Sequence, residues 1–138
     1  MNIYMDGVFD LFHRGHVEAI KVAKQCAGEN GKVIIGVVSD KDAESYKRTP
    51  IINEADRLEI IKNIKNIDTI VFPCPLKVDE EFIKKYNIDY VIHGFCDEKD
   101  WNKQRRFFED LINIGKFKNV NYYDKCSTTS IINKIKNS

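Results

Sequence analysis

The chain has four cysteines but no C-x-x-C pair: Cys26, Cys74, Cys96 and Cys126 lie 48, 22 and 30 residues apart. This spacing argues against the common zinc patterns and a dense disulfide framework, and predicts reduced thiols. Neither sign of charge is in excess, the 22 basic and 21 acidic residues being interspersed, so no electrostatic footprint points to nucleic acid or to a membrane surface. No run approaches the roughly 20 apolar residues that cross a bilayer. The opening Met1-Asn2-Ile3-Tyr4-Met5-Asp6 enters a strand-like run without the basic and long apolar regions of a secretion signal. Internal repeats, linkers and low-complexity tracts are missing as well. A cytoplasmic protein acting through a localised site is expected.

The 138 residues, 43% of them hydrophobic, fit one domain spanning 1–138 with a substantial core. Apolar runs rich in β-branched residues, at 2–5, 32–38, 68–73, 89–93 and 118–122, alternate with segments of helical period. That alternation predicts an α/β fold of about five parallel strands with helices on both faces. Lys32-Val33-Ile34-Ile35-Gly36-Val37-Val38 is nearly continuous in apolar character and is expected inside the sheet. Helices are expected over 14–27, after Asn53 with Leu58, Ile61 and Ile64 on one stripe, after Asp79, over 101–113 with Phe107, Phe108, Leu111 and Ile112 inward, and after Ser127 with Ile131, Ile132 and Ile135. Residues 94–103 read as a polar loop, a candidate lid or substrate rim.

Ligands of open α/β sheets bind beyond the carboxyl ends of the strands. Five segments fall at such ends: the turn before His13-Arg14-Gly15-His16, Ser39-Asp40, Pro73-Cys74-Pro75, His93-Gly94 and Cys126-Ser127-Thr128-Thr129. His13 and His16 share a helical face and can donate to one anion, while Gly15 lets backbone approach a ligand. No third ligand suggests a metal there. Lys47 reads either as a solvated lysine or as a phosphate clamp beside the Arg48–Asn53 loop. Ser127, Thr128 and Thr129 read as an ordinary helix cap, a phosphate cradle, or both. Asp6 closes a strand as an Asx-turn or meets a cationic partner, and Asp10 reads as a turn or helix-start residue.

With these residues in order, the chain resembles the cytidylyltransferases of phospholipid head-group synthesis. Tyr4 to His16 match the signature segment, Lys47 and Asn53-Glu54-Ala55-Asp56-Arg57 the later lysine and arginine positions, and Pro73-Cys74-Pro75, Asp89–His93, Gly115-Lys116-Phe117 and Ser127-Thr128-Thr129 follow in the family's order. The resemblance covers essentially the whole chain. It implies a Rossmann-like nucleotidyltransferase fold, and transfer of CMP from CTP to a small phosphomonoester with release of pyrophosphate for phospholipid synthesis. His13, His16 and Lys47 would be catalytic, neutralising the triphosphate and holding the nucleophile in line. Gly7, Phe9, Gly15, Arg57, Ser127, Thr128 and Thr129 would bind nucleotide, and Asp6 and His93 the acceptor. Mg²⁺ would accompany CTP, and a homodimer is implied.

Asp6 is the family's aspartate near an ammonium group and favours a phospho-amino-alcohol acceptor. Leu76 and Glu98 stand where choline recognition uses aromatic rings, so phosphoethanolamine is preferred to phosphocholine. Tyr122 stands where the family has an arginine, and a phenol supplies no bidentate positive fork; Lys125, Arg48 or a shifted loop would have to compensate. The alternatives are a nucleotide-binding pseudoenzyme, or a cytidylyl- or adenylyltransferase acting on another phosphomonoester.

Overall fold

The computed structural model describes residues 1–138 apart from Cys96, Tyr122 and Asp124. Its elements run β1 (Ile3–Gly7), α1 (Arg14–Ala27), β2 (Val33–Val37), α2 (Asp40–Tyr46), α3 (Glu54–Lys62), β3 (Thr69–Val71), α4 (Glu80–Lys85), β4 (Tyr90–His93), α5 (Glu98–Gln104), α6 (Glu109–Asn113), β5 (Phe117–Asn119) and α7 (Thr128–Lys136), with a 3₁₀ turn at Arg105–Phe107. All strand pairs are parallel, in the order β3-β2-β1-β4-β5. The chain moves outward from β1 to β3, then crosses to the other side of β1 for β4 and β5. The crevice between the carboxyl ends of β1 and β4 is therefore the topological switch point.

Strand parity sorts the core into two layers, because successive side chains point to opposite faces. Ile3, Met5, Val33, Ile35 and Val37 face one way and pack with Ala19, Ile20, Ala23 and Ala27 of α1 and Ile61 of α3. Tyr4, Ile34 and Val91 face the other way and meet Ala43 of α2, Ile83 of α4 and Leu111 of α6. Every residue of β2 is buried, as the apolar run predicts. The close fit of the second layer explains Gly36: a Cβ there would collide with the Tyr4 hydroxyl and come within 2.8 Å of the Cys74 Cβ.

Helix 14–27 and the caps at Asn53, Asp79 and Ser127 form where the sequence puts them. Three expectations change. Residues 40–46 form α2, whose Ser39 hydroxyl caps the Asp42 N–H at 3.2 Å; only Ala43 is buried in it, so the apolar periodicity is too weak to show. The helix expected over 101–113 is split into α5, the 3₁₀ turn and α6, because the Phe107 carbonyl leaves the helical ladder to accept from Val78 N–H at 2.8 Å. The polar loop expected over 94–103 is largely the start of α5, capped by Asp97 and anchored by buried Gln104, whose Nε2 donates to Asp100 Oδ1 at 2.6 Å.

The last strand is shorter than 118–122, and Tyr122 lies outside the described residues. In α7 the expected apolar stripe is incomplete, since Ile135 is 67% exposed. Cys26, Cys74 and Cys126 are unpaired thiols. Among the described residues no helix is long and apolar enough to cross a membrane.

Candidate active site

The turn from β1 into α1 is held in an unusual backbone conformation. Phe9 and Leu11 have φ of 56° and 48°, in the left-handed region that costs a non-glycine residue about 1–3 kcal/mol. Asp10, between them and 4% exposed, fixes the turn with its side chain. One carboxylate oxygen accepts from Leu11 N–H at 3.1 Å and Ile52 N–H at 2.8 Å, the other from Ile51 N–H at 2.7 Å. Asp10 is thus more than a turn residue. It ties the loop that carries Lys47 and Arg48 to the histidine turn.

His13 caps α1. Its Nδ1 accepts from Gly15 N–H at 3.0 Å, while His13 N–H donates to Nδ1 of His16 at 3.2 Å. The two rings stack with centroids 3.8 Å apart, and His16 also packs on Phe9 and Phe12. Because each Nδ1 accepts, each neutral ring carries its proton on Nε2. Burial lowers the pKa of His13; burial, helped by His13 and Lys47, lowers that of His16 to about 3. Both rings are neutral near pH 7. In this state each ring offers an Nε2–H donor.

Gly15 makes this packing possible: a Cβ would sit 2.8 Å from His13 Cε1 and 2.9 Å from the Cys126 carbonyl oxygen. Gly7 likewise leaves room for the Phe9 ring, which would lie 3.0 Å from a Cβ. Phe9 is buried and floors the turn. On the far wall, Thr128 Oγ1 donates to the Asp10 carbonyl at 2.9 Å and lies 3.3 Å from His13 Nε2. Ser127 and Ser130 form a reciprocal capping box at the start of α7. Arg48 Nη1 donates to Thr129 Oγ1 at 3.3 Å. The structure therefore brings His13, His16, Thr128 and Thr129 together with a cleft lined by Val8, Asp10, Lys47, Arg48 and Pro50.

Arg57, expected on the nucleotide, is instead wholly buried. Its guanidinium donates to the carbonyls of Ile52, Val8 and Val38 at 3.0, 2.6 and 2.9 Å and to Asp40 Oδ1 at 2.7 Å. Asp40 in turn exchanges bonds with Glu54, joining the starts of α2 and α3. The arginine therefore braces the cleft from below.

Asp6 and His93 sit on the adjacent strands β1 and β4. Asp6 Oδ1 lies 3.3 Å from His93 Nδ1, both side chains being largely buried, though the pair is not aligned as a hydrogen bond. His93 packs against Phe95 and Phe108. Tyr46 packs on Phe107. Burial, then the charge of Asp6, the Cys74 thiol and the charges of Asp100 and Asp42, push the Tyr46 phenol well above its ordinary range. This side of the crevice is negative, whereas Lys47 and Arg48 make the next two residues of the chain positive. Tyr122, where the resemblance looks for an arginine, lies outside the described residues.

A parallel α/β sheet with a histidine-capped helix at its switch point is a nucleotidyltransferase-like arrangement. A solved structure shares the fold: the lipopolysaccharide core biosynthesis protein of Thermoplasma volcanium superposes with a TM-score of 0.69 over 90% of this chain and 98% of its own, at 22% identity. The chain belongs to the cytidylyltransferase-like family, whose model matches residues 4–134. It is 32% identical over 136 residues to choline-phosphate cytidylyltransferase 2 of Arabidopsis thaliana, and 34% identical over 134 residues to ethanolamine-phosphate cytidylyltransferase of Saccharomyces cerevisiae. Those matches cover 98% and 96% of this chain but only 44% and 41% of the relatives, so the chain spans less than half of their length.

Proposed function

We propose that this chain transfers the cytidylyl group of CTP to the phosphate of a phospho-amino-alcohol, phosphoethanolamine ahead of phosphocholine, in phospholipid synthesis. The observation that carries the reading is the pairing of two opposite surfaces in one crevice. The histidine turn, Lys47 and the start of α7 offer donors and positive charge for a triphosphate, and the Asp6 carboxylate stands near the carboxyl end of β1, where its charge reaches Tyr46, the neighbour of Lys47 in the chain. An acceptor with a phosphate at one end and an ammonium at the other matches both.

In this reading an acceptor phosphate oxygen bonds to the α-phosphorus of CTP as the bond from that phosphorus to pyrophosphate breaks. The Nε2–H groups of His13 and His16 donate to phosphate oxygens, His13 exchanging its contact with Thr128 for one with the ligand. Lys47 supplies charge at the reacting phosphate. Catalysis is positioning and electrostatic stabilisation, with no covalent enzyme intermediate. Magnesium would arrive on the CTP phosphates and screen their charge. The carboxylates nearest the cleft are already engaged, Asp10 by three backbone N–H groups and Asp40 by Arg57.

The preference for a primary ammonium rests on Asp6 and on two side chains. Leu76 packs into the second core layer and Glu98 is exposed on α5, so neither presents an aromatic face to a quaternary ammonium. A primary ammonium donates hydrogen bonds that a carboxylate accepts. The family resemblance also supports a homodimer, which sedimentation of the purified chain would check. Pyrophosphate release from CTP with phosphoethanolamine, phosphocholine and glycerol 3-phosphate tests the reading. Turnover should be fastest with phosphoethanolamine, and Asp6→Asn should lower its kcat/KM roughly 10- to 100-fold. Release that ignores the acceptor, or that is fastest with glycerol 3-phosphate, would refute it, and CTP binding without turnover would favour a pseudoenzyme.

A further inference from the structure

We infer that Arg48 binds the pyrophosphate end of the nucleotide, the part that CTP has and CMP lacks. The inference rests on the cytidylyltransferase reading of the site. It begins with where positive charge is available. Both imidazoles are neutral donors, held as such by backbone N–H groups on their Nδ1 atoms. Arg57 is buried and committed to four protein oxygens. Arg14 is engaged elsewhere, 4.4 Å from the Tyr123 ring centre and 3.5 Å from a Glu18 oxygen. Among the described residues that line the cleft, Lys47 and Arg48 are the cations. Two adjacent cations of one loop therefore line the cleft a polyanionic triphosphate would enter.

The order of that loop separates their roles. Tyr46 belongs to the acceptor side, packing on Phe107 and feeling the charge of Asp6. Arg48, two residues on, is exposed and reaches across the cleft to Thr129 in the first turn of α7. Lys47 lies between them in sequence. The chain thus steps from acceptor to reacting phosphate to leaving group. Asp10 fixes this order, because its carboxylate holds Ile51 and Ile52 while its carbonyl holds Thr128. A guanidinium suits the far end, since its planar fork can grip two oxygens of a leaving pyrophosphate while the α7 N–H groups face the same anion.

The test compares binding of CTP and CMP by calorimetry, with kinetics alongside. Arg48→Ala should weaken CTP binding roughly 10- to 100-fold while changing CMP binding by less than about twofold, and Arg48→Lys should recover part of the loss. KM for CTP should rise, and the salt dependence of CTP binding should become shallower. Thr129→Val removes the resting contact without removing the charge, and it should keep the preference for CTP over CMP that Arg48→Ala loses. The inference is overturned if Arg48→Ala binds CTP normally, if it loses CTP and CMP equally, or if Thr129→Val reproduces its effect, which would mark Arg48 as a brace for α7. Failure of the wild-type chain to bind CTP at all would overturn the underlying reading as well.

Discussion

His13 donates its backbone N–H to Nδ1 of His16 at 3.2 Å, so each of the two stacked histidines spends its Nδ1 on the first turn of α1 and keeps its proton on Nε2. The consequence is a pair of fixed, neutral donors. Nitrogen-resolved NMR at pH 7 should show both side chains as the Nε2–H tautomer. The sign of the pH effect on stability follows. Between the ordinary value of 6.5 and the folded value of about 3, an unfolded His16 binds a proton that the folded ring does not. Stability is therefore fully present above pH 6.5 and is lost as pH falls toward 3. His16→Asn, which keeps an acceptor for the His13 N–H, should lose less stability than the wild type between pH 7 and about pH 5, read as the shift in urea midpoint. Equal losses would contradict the folded-state pKa.

Arg57 is expected to behave as a folding residue. Arg57→Met would leave the carbonyls of Val8, Val38 and Ile52 without their donor and Asp40 without its cation. The expected cost is about 3–5 kcal/mol in urea unfolding, with CTP binding lost only as the protein unfolds. A stable Arg57→Met chain with weakened CTP affinity would return the residue to the nucleotide.

Asp10→Asn should separate loop placement from folding. The amide can accept from one or two of the three N–H groups but turns its own donors toward the remaining one. Stability should fall by about 1–3 kcal/mol, while kcat/KM for CTP falls further than the same energy would account for, because Lys47 and Arg48 lose their anchor. Parallel losses would show that the loop stays in place.

Gly15→Ala offers a contrast between helix preference and site geometry. Alanine inside a helix is intrinsically better than glycine by about 1 kcal/mol. Here its Cβ would press on the His13 ring and the Cys126 carbonyl. Unfolding midpoints should change little, yet kcat should fall on the order of 100-fold as His13 is displaced. Retained activity would mean the ring and the α7 approach can yield.

The fold was largely legible because its strands are buried runs and its main helices carry strong caps: the Asn53, Asp79 and Ser127 caps stand in the sequence as they do in the structure. α2 escaped because Ala43 is its one buried residue, although Ser39 followed by Asp40 and Asp42 is a readable start signal. The break after Gln104 was hidden for a different reason. It depends on Val78 taking the Phe107 carbonyl, a contact between segments that no local pattern encodes. At the site, residue types pointed to the histidines and the family resemblance to Lys47, Asp6 and His93, but neither told which cations are buried. Arg57 and Arg48 look alike in sequence; burial alone separates a brace from a surface cation. Asp10 looked local because its partners Ile51 and Ile52 lie some 40 residues away.

The contact from Thr128 to the Asp10 carbonyl spans 118 residues. During synthesis the sheet and its two apolar layers can be in place before residues 127–129 leave the ribosome, but the far wall of the cleft cannot. A nascent chain halted after β5 would hold the histidine turn with one side open to water. α7 thus acts as a completion step for the cleft, and proteolytic removal of residues 127–138 should abolish CTP binding while sparing most of the folded core.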